Sequence, residues 1–398
     1  MSFAFPDQYQ ERPDAATVAR VHAATLTIDA HLDVRDGFNG PGNDAGGETE
    51  GQFDLPKLER GGLKVAFVAL AADPVRNDPE GQQIARQQVE AKYEALTRLV
   101  AAHPERLEFA RSVADIERIA AAGRHAVVLS FLNAVSLGED LGALRTFHER
   151  GVRLLGLSHI GNNAFTDSSR PKAAFGDVPN ANGGLTTLGR DAVRELNRLG
   201  IIVDVTQLSP AALGQVLALS EAPVIASHSA VRGRVDSPRN LTNAELRAIA
   251  AKGGVAHIVA FAPYVRQNDG SVAAFAKEIL EPFGLTADAD PRQVLSPQDY
   301  ERQRAAYRKF SGKRHTFASL VDYLDAVDYA VRLIGIDHVG LSSDFNNGGG
   351  VEGFAHVGEA PNVTAELLRR GYGEQDIAKL WGGNLLRVFR AVEARAGR

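Results

Sequence analysis

The chain has 398 residues, 44% of them hydrophobic and 23% charged, with a net charge of −5, the composition of a globular protein with a sizeable core. No cysteine is present, which excludes disulfides, thiolate-held zinc and a cysteine nucleophile, so any metal must be held by His, Asp, Glu or neutral oxygen donors. The acidic balance gives no basic footprint for nucleic acid or anionic lipid. No run approaches the ~18 apolar residues that cross a bilayer. The first twenty residues are acidic and polar where a secretory leader needs an unbroken apolar stretch, so a cytoplasmic location is expected.

Eight short apolar runs predict strands, at residues 26–30, 65–70, 126–131, 153–157, 201–205, 224–227, 255–261 and 338–341. Helical patterns lie between most of them. Clear examples are 83–101, 188–199 with Gly200 as its stop, and 243–252 closed by Gly253-Gly254. The runs are nearly continuous rather than alternating, as in parallel strands buried on both faces. Eight βα units with right-handed crossovers predict a (β/α)8 TIM barrel, with a doubly wound sheet as the competing fold. Residues 262–314, after the seventh strand, are charged, contain proline and exceed the length a connection needs. They are expected to form a lid or a surface insertion within a single barrel domain spanning 1–398.

Chemistry in such a barrel belongs at the C-terminal ends of the strands. The first strand runs into Asp29-Ala30-His31-Leu32-Asp33, where alternation puts His31 and Asp33 on one side. The fourth ends in Ser158-His159, the fifth in Asp204-Val205-Thr206-Gln207, the sixth in Ser227-His228-Ser229 and the eighth in Ser343-Asp344. Packing alone would not place His, Asp or Gln at five strand ends facing one mouth. The other histidines do not gather in this way. His22, His103, His125, His148 and His356 are expected at the surface or in caps, His257 in the core, and His315 in the lid. Ser227 and His228 are neighbours on a strand and should face opposite ways, which argues against a serine triad. The glycine pairs at 61–62, 183–184 and 253–254 do not form a phosphate loop.

Ordered motifs along nearly the whole chain resemble the membrane (renal) dipeptidase family, peptidase family M19, of the amidohydrolase type. They are Asp29-Ala30-His31-Leu32-Asp33, the stretch from Phe53 to Leu58 with Gly61-Gly62, and Leu157-Ser158-His159 with Asn162-Asn163 and Asp167-Ser168-Ser169. Further along come Asp204-Val205-Thr206, Pro223 to Ser229 with Pro238-Arg239-Asn240, Asp337 to Gly340 through Asp344-Phe345, and Gly371-Tyr372 with Gly382 to Val388. The resemblance implies a (β/α)8 barrel that hydrolyses dipeptides with two zinc ions joined by a bridging carboxylate. It assigns His31 and Asp33 to the first metal and His228 to the second. It makes Asp344 the acid that handles the proton of the attacking water. It places His159 at the scissile carbonyl and Arg239 on the substrate carboxylate.

Two positions depart from the pattern. Leu132 stands where the bridging glutamate is expected, and Gln207 where a histidine ligand is expected. Leucine can neither screen two dications from each other nor supply an oxygen to both, and an amide is a poor donor to zinc. One zinc ion rather than two is therefore expected, held by His31, Asp33, His228 and Asp344. The activity expected is cleavage of a dipeptide or related amide bearing a free carboxylate, a small-molecule substrate that Arg239 would hold in a bidentate grip. An isomerase or tautomerase, or a non-catalytic binding protein, is the alternative on the same scaffold. A homodimer is left open by the resemblance. For Arg239 the competing role is to pin its loop through Asp236. Gly348-Gly349-Gly350 after Asp344 allows close backbone approach or a flexible turn.

Overall fold

The computed structural model describes residues 13–35, 37–267, 270, 277–286, 289, 291–313 and 317–397. Among the described residues nine strands are formed: β1 Ile28–Asp33, β2 Val65–Ala71, β3 Leu107–Phe109, β4 His125–Leu132, β5 Val152–Gly156, β6 Ile202–Asp204, β7 Ile225–Ser229, β8 Val255–Val259 and β9 Val339–Ser342. Eight lie side by side in the order β1-β2-β4-β5-β6-β7-β8-β9, each parallel to its neighbour. The ring closes where Asp344 N donates to His31 O (3.0 Å) and Asp33 N to Phe345 O (2.9 Å). This is the expected (β/α)8 barrel.

All eight predicted strands occur, with ends shifted by at most three residues. The largest shift is in β1, which runs on through His31 and Asp33 because its polar end is used in the barrel mouth rather than turned to water. β3 is additional. It is three residues long and pairs only with the start of β4, too short to leave a periodic signal. Every residue of β1, β2, β7, β8 and β9 is buried, as strands covered on both faces require.

Local sequence sets the helix ends. Asp78 caps Pro79–Ala102 through Gly81 N. Thr186 caps Thr187–Leu199, which Gly200 ends at φ 73°, and Thr242 with Glu245 forms a capping box on Asn243–Ala251. Each such cap contributes about 1 kcal/mol. Ile28, Val65, Phe67, Val128, Leu154, Ile225 and Val255 share one buried cluster with Ile116, Ile119, Phe389 and Val392. The helices Val113–Ala121 and Asn384–Glu393 thus seal the N-terminal end of the barrel with apolar packing. Polar groups are left to the other end.

After β8 the chain forms the short helices Ala262–Val265 and Pro291–Val294 and the longer Pro297–Lys313. Arg304 of the last pairs with Asp73 just beyond β2, Nη1 to Oδ2 2.6 Å. The inserted segment therefore reaches from the end of β8 to the far side of the barrel rim.

His257 is buried in β8, as expected for a core residue, with Nδ1 3.3 Å from Ala226 O. Its ring fills space left by Gly340 of β9, where a Cβ would lie 2.2 Å from it. Burial pulls its pKa from 6.5 down to about 4. Between these values the unfolded chain binds a proton that the folded chain refuses. Stability is therefore fully retained above about pH 6.5 and falls as pH drops towards 4, by on the order of 2–3 kcal/mol. His257→Gln should flatten that acid limb. Urea unfolding at pH 7 and at pH 4.5 measures it, and equal pH dependence in the two proteins would contradict the assignment.

His22 corrects one expectation. It is buried rather than superficial, with Nδ1 2.7 Å from Thr364 Oγ1 and Nε2 2.8 Å from Gly61 O. It ties three helices together and has no part in the mouth. His125 is half-buried at the start of β4, its Nδ1 2.7 Å from Leu63 O. His315, and with it the end of the predicted lid, lies outside the described residues.

Candidate metal and substrate site

His31 and Asp33 of β1, His228 of β7 and Asp344 beyond β9 meet at the C-terminal mouth, all buried. His31 Nε2 is 3.2 Å from Asp33 Oδ2 and 3.8 Å from Asp344 Oδ1. Its ring stacks on that of His228 with centroids 3.7 Å apart. Ligand atoms of His31, His228 and Asp344 all lie within 4.8 Å of one another. His31 Nε2, Asp33 Oδ2 and Asp344 Oδ1 are buried without a hydrogen-bond partner. Buried orphans of this kind cost free energy unless a ligand satisfies them.

The electrostatics point the same way. Burial opposes charge on the His31 imidazole, but the adjacent Asp33 carboxylate and the fields of Asp344 and Asp204 outweigh it and raise its pKa. Burial, then the Asp33 charge, pushes the Asp344 carboxyl up. Two acids forced together in a dry site call for a cation, and this nitrogen–oxygen donor set suits a divalent ion.

Backbone strain holds Asp344 in place. It adopts φ 57°, the left-handed region that non-glycine residues enter only under constraint. The constraint is the turn that follows, where Gly349 N donates to Asp344 O (3.0 Å). A Cβ at Gly349 would sit 1.9 Å from Ser343 O. The glycine run is a wedge under the acid, not a loose turn.

Leu132 ends β4 and packs with Ala69 and Ala71 of β2 in a small apolar cluster. On the neighbouring strand β5 it leans on Gly156, where a Cβ would lie 3.0 Å from Leu132 Cδ1 and 3.5 Å from Asp204 Oδ2. Hydrocarbon thus occupies the rim between β2 and β6.

Gln207 is also left-handed, at φ 67°. Its Oε1 accepts from Arg170 Nη2, and its Nε2 lies 3.2 Å from His228 Nε2. A guanidinium only donates, so the Gln207 amide nitrogen must donate onward to His228 Nε2. The His228 proton then resides on Nδ1, 2.7 Å from Ser227 Oγ, and Ser227 donates to Asp204 Oδ2. A donor-only end and an acceptor-only end give this five-residue chain one direction. Burial, followed by the charge of His31, depresses the His228 pKa well below the usual imidazole range and keeps it neutral.

The same contact corrects the expectation that Ser227 and His228 cannot meet. The β7–β8 register breaks between Ala226 and Ser229, turning the two side chains together. Their polarity is the reverse of a triad, because the imidazole donates to the serine and the serine to the aspartate.

His159 is buried with Nδ1 unpartnered. Burial, then the charges of Arg170 and Arg239, drives its pKa well below 6.5, so its imidazole is neutral. Arg239 donates through Nη2 to His228 O and through Nη1 to Ser229 Oγ (3.4 Å), leaving Nε buried and free. Asp236 is instead paired with Arg232, Nε to Oδ1 2.8 Å, which removes the loop-pinning role considered for Arg239.

The whole chain can now be set beside known proteins. The membrane dipeptidase family, peptidase family M19, matches residues 15–398. The chain belongs to this family. A crystal structure of the probable dipeptidase PvdM from Pseudomonas aeruginosa has TM-score 0.85 and 41% identity, covering 96% of this chain and 98% of that one. The dipeptidase aclJ of Aspergillus oryzae is 30% identical over 351 residues, 87% of this chain and 71% of its own. A metallopeptidase from Rhodobacter sphaeroides, crystallised with a phosphinate mimic of the dipeptide L-Ala-D-Ala, shares the fold at TM-score 0.71 and 24% identity, over 92% of this chain and 99% of that one.

In this dipeptidase-family barrel, three mouth residues escape a reading by motif. Arg170 follows the quoted Asp167-Ser168-Ser169 but holds Gln207 and, through Nη1, Tyr264 Oη (3.1 Å). Lys92 lies buried in the middle of the helix after β2, its Nζ 2.6 Å from Ala71 O at the strand end. Tyr264 sits in the insertion, stacked on Phe261 with centroids 4.3 Å apart. The signal that could have found Arg170 is Gln207 itself, since an amide replacing a ligand needs a new donor for its oxygen.

Proposed function

We propose that this chain is a zinc-dependent hydrolase that cleaves dipeptides, or related amides with a free carboxylate, with one ion rather than two. The observation that carries this is the convergence of unpartnered His31 Nε2, Asp33 Oδ2 and Asp344 Oδ1 in one buried site. These residues would hold the ion, with His228 beside them. The substrate class comes from the named dipeptidase relatives and from Arg239.

When bound, a divalent ion supplies a Lewis acid that polarises a carbonyl and makes water a better nucleophile at neutral pH. Asp344 takes the proton from the attacking water, a step favoured by the burial that already raises its proton affinity. His159, held neutral, offers an N–H to the carbonyl oxygen where negative charge develops. Arg239 fixes the carboxylate and thereby the position of the scissile bond. The segment after β8, tied down by Arg304 to Asp73, acts as a lid that excludes water.

A second ion finds little to bind. Leu132 offers no oxygen, and the His228 Nε2 lone pair is committed to Gln207. Elemental analysis should give about one zinc per chain, and chelation should abolish cleavage of a dipeptide panel, with zinc restoring it. A metal-free protein that converts a carboxylate ligand without taking up water would favour an isomerase. Binding without turnover under any metal would favour a binding protein.

A further inference from the structure

Arg170 has no role in the reaction as described, yet its guanidinium lies in the same mouth as Arg239. Tyr264 joins the two, accepting a hydrogen bond from Arg170 Nη1 (3.1 Å) and lying with its ring centroid 5.4 Å from Arg239 Cζ. Both arginines leave a buried Nε without a partner. Arg239 is only 4% exposed.

Neither forms an ion pair with a carboxylate among the described residues. The nearby acids face other groups, Asp33 and Asp344 lying beside His31, and Asp204 accepting from Ser227 and the Thr206 amide. A buried guanidinium without a counter-charge is costly, and a second one joined to it through Tyr264 makes it more so. Gln207 is what brings Arg170 inward, because a histidine holding a metal through the same position would have no oxygen to offer it.

We propose that Arg170 and Arg239 form a two-guanidinium anion site, and that the substrate carries a second acidic group beside the carboxylate held by Arg239. The matching class is a dipeptide or N-acyl amino acid with an aspartyl or glutamyl residue at the carboxyl end. This rests on the reading of Arg239 as the carboxylate-binding arginine given above. Arg170 Nε–H and the outer Nη hydrogens supply the second grip, and Tyr264 and Gln207 keep the guanidinium plane turned to the ligand.

Simple dicarboxylates test this without requiring turnover. With the zinc-loaded protein, calorimetric titration of succinate, glutarate and adipate should show at least one binding about tenfold or more tightly than butyrate, as a buried charge-assisted hydrogen bond warrants. Arg170→Met should reduce that advantage to about twofold or less while leaving butyrate binding unchanged, and Arg170→Lys should keep part of it. Arg239→Met should weaken both ligand types. In hydrolysis, kcat/KM for X-Asp and X-Glu over X-Asn and X-Gln should follow the same pattern.

Dicarboxylates no tighter than butyrate, or an advantage that survives in Arg170→Met, would overturn the proposal. An Arg170-dependent preference in a protein that cleaves no dipeptide would sink the hydrolase reading and leave the anion site standing. A dipeptidase indifferent to the second acid would do the reverse.

Discussion

His31→Ala is expected to lower zinc content from about one per chain to a trace and to cut kcat/KM for any cleaved dipeptide by roughly a thousandfold or more. The size follows from its position. His31 Nε2 is the atom on which Asp33 and Asp344 both converge, so alanine removes a ligand and leaves two buried carboxylates facing each other. An ion's Lewis acidity supplies several kcal/mol of transition-state stabilisation, and every 1.4 kcal/mol is a factor of ten. The fold should survive, because the backbone closure through His31 O and Asp344 N does not involve the imidazole. Far-ultraviolet circular dichroism together with zinc analysis and kinetics checks this. A variant that keeps both zinc and turnover would remove His31 from the chemistry.

Asp344 and His228 should respond differently. Asp344→Asn keeps an oxygen for the ion but lacks a place for the proton, so its loss should fall mainly on kcat. His228 is already hydrogen-bonded at both nitrogens, and its replacement should disturb Gln207 and Arg170 before it disturbs the ion. Leu132 sets the same limit from the other side of the mouth, since its contacts with Ala69, Ala71 and Gly156 leave hydrocarbon where a shared oxygen would be needed.

Much of this was legible in the sequence, for physical reasons that also explain what was not. Strands buried on both faces advertise themselves as apolar runs, so the barrel could be read from eight of them. His31, Asp33, His228 and Asp344 could be found because each follows or ends such a run. β3 was invisible because three residues carry no period. The contact between Ser227 and His228 was misread because alternation holds only while a strand keeps its register, and β7 does not. Arg170 and Lys92 were missed for another reason. Each reaches the mouth from a loop or helix through a long side chain, and such reach leaves no mark in residue spacing. The left-handed conformations of Gln207 and Asp344 belong to the same class, being imposed by the neighbours rather than by the residues themselves.

Tyr372 was read as part of a closing family motif, and the structure shows a purely structural duty with a large expected effect. Arg370, with a side chain 2% exposed, donates to Asp325 Oδ1 (2.9 Å), Asp328 Oδ2 (2.5 Å) and Glu366 Oε1 (2.9 Å). Tyr372 Oη donates to the other oxygen of Asp328, at 2.7 Å. Asp328 lies on the buried side of Leu320–Ile334, and the network pins that helix to the turn after Ala360–Arg369. Asp328→Ala should cost about 2–3 kcal/mol, because it removes one of the three carboxylates on Arg370 and a charge-assisted bond from the buried Tyr372 hydroxyl. For a chain of this length that lowers the thermal midpoint by about 3 °C, since each residue contributes roughly 2 cal/mol/K to the unfolding entropy. The double variant Asp328→Ala with Arg370→Met should cost less than the sum of the two single variants, because their shared ion pair is lost only once. Zinc content and kcat of the folded protein should be unchanged throughout, because none of these groups reaches the mouth. Strictly additive losses would mean that the helix is held by its apolar face, and that the Asp328–Arg370 pair contributes little.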